Sequence, residues 1–198
     1  MEEAIDFLRY VYGWSVFKEW LERDYESILV SIELLSIATR YEVMLAKMLQ
    51  AVPTESERYK LLSEKDKQGR TLLHDAAKSG NPESIKTVLA LFPESERLNA
   101  LSLKDRDGRT ALYCAVISNH AESTKLILTS LPESERLQAV CAVDKKGWTV
   151  LHYCVALSKN LGLIKLVLSL LSETERLQVL NMQDQHENTV LHCAAQSG

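Results

Sequence analysis

DKQGRTLLH (66–74), DRDGRTALY (105–113), DKKGWTVLH (144–152) and DQHENTVLH (184–192) are four versions of one phrase. Their threonines, Thr71, Thr110, Thr149 and Thr189, stand 39, 39 and 40 residues apart. A second phrase keeps the same steps: PTESER (53–58), PESER (93–97), PESER (132–136) and SETER (172–176). Arg58, Arg97, Arg136 and Arg176 are again separated by 39, 39 and 40 residues. Two independent blocks in one register define a repeat array, each unit a small supersecondary element stacked on the next.

Between the two phrases every unit carries an amphipathic helix. Ile85, Val88, Leu89 and Phe92 recur at i, i+3, i+4 and i+7, one face of a helix. Thr124, Ile127, Leu128 and Leu131 repeat the pattern, as do Ile164, Val167, Leu168 and Leu171. Upstream, Leu45, Met48, Leu49 and Val52 keep it where no hairpin phrase is left. The division that follows is 1–26, 27–65 (a degenerate first repeat), 66–104, 105–143, 144–183 and an incomplete 184–198. The one additional residue lies within 150–157, because Thr149–Ser158 spans nine steps where Thr110–Ser118 spans eight. A lengthened helix or a π-type bulge is expected there.

D-x-x-G-x-T-x-L-H resembles the ankyrin signature, a hairpin tip followed by T-P-L-H-x-A-A. Gly69, Gly108 and Gly147 suit the positive φ of a tight tip, and the aspartates suit the turn. The resemblance implies an all-α, ankyrin-type helical solenoid with short hairpin loops. It also implies that His74, His152 and His192 tie each repeat to adjoining backbone. Tyr113 stands where one histidine belongs, leaving that tie in question. Glu187 replaces the last tip glycine, which predicts a looser hairpin. Leu72, Ala111, Val150 and Val190 replace the signature proline.

The units exceed the usual ankyrin period of about 33 residues. The excess is P-E-S-E-R-L, with a proline and glutamates suited to a first helical turn. It predicts an extra short helix per repeat, anchored by Leu98, Leu137 and Leu177, with its Glu and Arg side chains paired. Armadillo and HEAT units have a similar length but lack the hairpin phrase. Elongated units of this kind are similar to ankyrin repeats in effectors of intracellular bacteria.

At the N-terminus, Phe7, Tyr10, Tyr12, Trp14, Phe17, Trp20 and Tyr25 crowd one short stretch, with Trp14, Phe17 and Leu21 on one helical face. One reading is a capping helix over the open end of the array. The other is a partner- or membrane-binding helix, against which Glu2, Glu3, Asp6, Glu19, Glu22 and Asp24 weigh.

The chain is 46% hydrophobic with a net charge of −4, which argues against general nucleic-acid binding. It contains no run near the ~20 apolar residues of a membrane span and no secretory leader. The sequence shows no HExxH, GxSxG, GxxxxGK[ST] or GxGxxG motif. Cys114, Cys141, Cys154 and Cys193 lack metal-ligand spacing and read as small buried hydrophobes in a reducing cytoplasm. No catalytic residue, metal site, cofactor or small-molecule substrate is expected.

The function expected is a protein-interaction scaffold, binding through hairpin tips and the inner face of the first helices. The alternative is the recognition part of a larger effector or enzyme, placed in a host cytosol if secreted. The stop at LHCAAQSG, directly after a first helix, points to a longer parent chain. Lys67, Arg70, Arg106, Arg109, Lys145, Lys146 and Trp148 crowd the tips of an otherwise acidic protein. They predict a cationic strip for an acidic partner, with an exposed Trp148 as anchor. The competing reading has the charges solvated and Trp148 flat on the neighbouring tip.

Overall fold

The computed structural model describes residues 54–158 and 160–197. The expected N-terminal cap and most of the degenerate first unit lie outside these residues. Helices α1 (Glu55–Ser63), α2 (Leu72–Ser79), α3 (Pro82–Ala90) and α4 (Glu94–Ser102) come first. Helices α5 (Ala111–Ile117), α6 (Ala121–Ser130) and α7 (Glu133–Cys141) follow. Next come α8 (Val150–Tyr153), a π turn (Cys154–Ser158), α9 (Leu161–Ser169), α10 (Glu173–Leu180) and α11 (Val190–Ser197). The described chain is thus an all-α solenoid. Each complete turn of it runs hairpin, first helix, second helix and short third helix.

The first helices stack on one another through residues small enough to let backbones approach. Ala76, Ala77 and Ala115 are fully buried, and Leu73, Leu112 and Leu151 are nearly so. Leu191 holds the same register on α11 and is 63% exposed, with no later unit among the described residues to cover it. Two of the second helices, α3 and α9, begin at asparagine caps. Asn81 Oδ1 accepts the Glu83 N–H at 3.1 Å, and Asn160 Oδ1 accepts that of Leu163 at 3.1 Å.

The P-E-S-E-R phrase forms the extra helix expected of it, but by a different device. Among the described residues, its arginine does not pair with its glutamates. Arg97 Nε donates to the carbonyls of Leu89 (3.1 Å) and Phe92 (3.3 Å), at the end of the preceding helix. Arg136 Nε reaches Leu128 O at 3.1 Å, and Arg176 Nε reaches Leu168 O at 2.7 Å and Leu171 O at 3.0 Å. A cation at a helix C-terminus satisfies orphan carbonyls and opposes the negative end of the dipole. The same geometry overturns the expected anchor at two of its three positions. Residues three and four after the arginine share its inward face, and Ala100, Leu101, Val140 and Val179 are buried. The leucine immediately after the arginine is turned off that face, so Leu98 is 39% and Leu177 60% exposed, while Leu137 is half-buried against the core.

The additional residue of the third hairpin-bearing unit is absorbed in the π turn at Cys154–Ser158, whose wider winding accommodates one more residue. Both flanks keep their register. Thr149 still starts its helix, and Asn160 Nδ2 still bonds Asn119 Oδ1 of the preceding unit at 2.8 Å.

The last hairpin is not looser than the others. Asp184 N–H donates to Asn188 O at 2.9 Å and Glu187 N–H to Asp184 O at 3.1 Å, the pattern of the glycine-tipped hairpins. Glu187 achieves this at φ 64°, the left-handed region where Gly69 and Gly147 sit at 77° and 75°. A side chain there costs on the order of 1 kcal/mol. Glu187→Gly is therefore expected to stabilise the chain by about 1 kcal/mol, read as a raised urea midpoint. A lowered midpoint would show that the glutamate side chain contributes more than its backbone strain removes.

Candidate protein-interaction surface

Each hairpin is built on one aspartate. Asp66 Oδ1 accepts the N–H groups of Gln68 and Arg70, both at 2.8 Å. Asp105, Asp144 and Asp184 do the same for Asp107 and Arg109, Lys146 and Trp148, and His186 and Asn188. The tips are then bonded to one another. Arg106 N–H donates to Gln68 O and Lys145 N–H to Asp107 O, each at 2.8 Å, and Gln185 N–H to Lys146 O at 3.4 Å. A Cβ at Gly147 would lie 2.9 Å from Gln185 N, so that tip backbone must carry no side chain to approach its neighbour.

A buried side chain locks each tip to the unit before it. His74 Nδ1 accepts the Thr71 N–H at 3.1 Å, which leaves the ring proton on Nε2. Nε2 then donates to Arg109 O, 3.1 Å away in the next hairpin. His152 repeats the arrangement with Thr149 N–H (3.2 Å) and Asn188 O (3.2 Å). Tyr113 answers the question left by the missing histidine. Its hydroxyl donates to Trp148 O at 2.6 Å, the carbonyl equivalent to those of Arg109 and Asn188, and also lies against Ala142 O.

The six cations of the expected strip fall into two groups. Arg70 is held by Asp66 Oδ2 (2.8 Å) and faces Asp75 Oδ1 at 3.4 Å. Arg109 bridges Asp107 Oδ2 (3.2 Å), donates to Tyr153 Oη (3.1 Å) and lies 5.5 Å from the Tyr153 ring centre. Lys67, Arg106, Lys145 and Lys146 are exposed, and their charges have no ion-pair partner among the described residues.

Trp148 is half-buried rather than exposed. Its ring stands edge-on to Tyr153 at 4.9 Å and stacks near His152 at 6.2 Å, and Nε1 donates to Asp184 Oδ2 at 3.1 Å. Tyr153 in turn donates to Asp144 Oδ2 at 2.6 Å. Sequence reasoning missed this cluster. The available signal was Tyr153 itself, an aromatic four residues after the threonine where other units have Asp75 and Cys114.

The family model described as ankyrin repeats (3 copies) matches residues 35–136 and 87–176. The chain belongs to the ankyrin-repeat family. Ankyrin repeats are in general protein–protein interaction modules. No curated protein matches this ankyrin chain. Among its described residues, no group of three or more His, Cys, Asp or Glu could hold a metal ion. No described helix is long and apolar enough to cross a membrane. Burial pushes the Cys114 and Cys154 thiols up to about 12, far from nucleophilic thiolates.

Burial holds the His74 pKa below its ordinary value, although the Arg109 carbonyl favours the proton. The unfolded chain therefore takes up a proton on this ring at a higher pH than the folded chain does. Its contribution to stability is present above about pH 6.5 and is lost as pH falls below that. Urea midpoints are expected to fall between pH 7.5 and 5.5. His74→Gln should flatten that slope by at most ~1.4 kcal/mol per pH unit. An unchanged slope would assign the pH dependence to other groups.

Proposed function

We propose that this ankyrin chain is a non-catalytic interaction module whose hairpin tips bind an acidic surface on another protein. The observation that carries the reading is the row of Lys67, Arg106, Lys145 and Lys146. They are exposed cations on hydrogen-bonded tips, in a chain whose net charge is −4. A rigid row lowers the ordering cost of binding, and its charge speeds encounter more than it tightens the final complex. The half-buried Trp148 ring supplies an apolar edge beside the cations. Cys114, Cys141, Cys154 and Cys193 form no disulfide among the described residues, which suits a reducing compartment such as the cytoplasm.

An NMR titration with a Glu-rich synthetic peptide tests the reading. Amide shifts are expected at 67–70, 106–109 and 145–148, shrinking as salt rises. Lys145→Glu with Lys146→Glu should weaken binding about tenfold without changing the urea midpoint, because both side chains are exposed and neither has an ion-pair partner among the described residues. Trp148→Ala should weaken binding and also lower stability by about 2 kcal/mol, through lost packing and an unpaired Asp184 oxygen. Shifts confined to other surfaces, or full affinity in the double lysine variant, would remove the tips as the binding surface.

A further inference from the structure

A second surface has the opposite character. Helix α7 packs against α10, but α4 and α7 stand further apart and leave a groove of about 770 Å³ between them. None of the seven tip residues lines it. Its floor is Leu112, Ile127 and Leu131, and Leu98 and Val143 open onto it, 39% and 37% exposed. The volume falls within the ~300–1,000 Å³ of clefts that bury ligands. The walls are helices whose backbone groups are already paired, so an incoming chain finds no strand edge and must insert side chains.

Charge narrows the occupant. Glu94 and Glu133 are exposed at the N-terminal ends of the two walls, and Glu135 lines the groove. None of the three has an ion-pair partner among the described residues. The arginines of the same helices, Arg97 and Arg136, are turned away onto helix-end carbonyls. Lys104, the cation in the lining, donates to Val143 O at 3.0 Å.

We propose that the α4–α7 groove docks a basic amphipathic helix of another protein. Its apolar i, i+3, i+4 and i+7 side chains would enter between Leu98 and Val143, with its Lys or Arg residues against Glu94, Glu133 and Glu135. This surface is independent of the tip row, and the chain would join an acidic partner on one surface to a basic one on another.

The test uses the full 198-residue chain, labelled for NMR, and two synthetic 14-residue helical peptides patterned Leu/Lys and Leu/Glu. The Leu/Lys peptide is expected to shift amides of α4 and α7. Leu98→Ser and Glu135→Lys should each weaken it about tenfold, and Lys145→Glu with Lys146→Glu should leave it unchanged. Leu98 and Glu135 are not fully buried, and circular dichroism with urea midpoints verifies that both variants fold. The proposal is overturned by an absence of shifts, by shifts at the hairpin tips instead, or by equal binding of the Leu/Glu peptide. Unchanged affinity in both groove variants overturns it as well. The lysine variant separates this outcome from failure of the tip surface.

Discussion

A buried, directional hydrogen bond recurs at each described joint of this array: a side chain at the third helical position donates to the carbonyl just before the next threonine. His74 reaches Arg109 O, Tyr113 reaches Trp148 O and His152 reaches Asn188 O. A solenoid has no contacts between distant repeats, so each interface must be fixed by its own neighbours. Apolar packing of alanines and leucines is non-directional and would tolerate sliding. The side-chain-to-backbone bond is directional, sits in a low-dielectric joint and leaves a costly orphan if displaced. The tip-to-tip bonds cross the same joints and bring the exposed cations of successive hairpins side by side.

The charges divide by the same logic. Arg97, Arg136 and Arg176 are consumed in closing second-helix ends, and Arg70 and Arg109 brace the hairpins. Exposed cations remain along the tips, and exposed carboxylates at the starts of the third helices. The arginine also explains why the leucine after it is less buried than the residues one turn on. The inward face of each third helix is filled by the arginine and those residues, so Leu98 and Leu177 face out and Leu137 is only half-buried.

Much of the fold was legible because it rests on features that recur at fixed spacing. The hairpin aspartates, the threonine that starts each first helix and the apolar faces of α3, α6 and α9 all followed from alignment of the chain with itself. The place of the additional residue followed from counting between two fixed blocks, whereas its form, a π turn rather than a lengthened helix, did not. The roles of Tyr113, Arg97 and Leu98 did not follow. Each depends on which way a side chain leaves its helix, and spacing alone does not say which partner lies at its end. At the candidate surface the positions were legible, but their availability was not. Arg70 and Arg109 carry the same charge as Lys67 and Lys146, and only geometry shows that aspartates and Tyr153 already engage them. Trp148 was placed correctly on a tip, but its partners Tyr153 and Asp184 belong to a helix and to the next hairpin.

Native-state hydrogen exchange on Tyr113→Phe tests the role of the inter-unit bond most directly. The substitution removes one hydroxyl and keeps the ring, leaving the carbonyls of Trp148 and Ala142 without that donor. The Lys145 amide, which crosses this joint to Asp107 O, is expected to lose protection equivalent to about 1–3 kcal/mol. The Arg106 amide, which crosses the preceding joint held by His74, should lose much less. Equal protection of Lys145 in the two proteins would mean that packing alone sets the register of the tips.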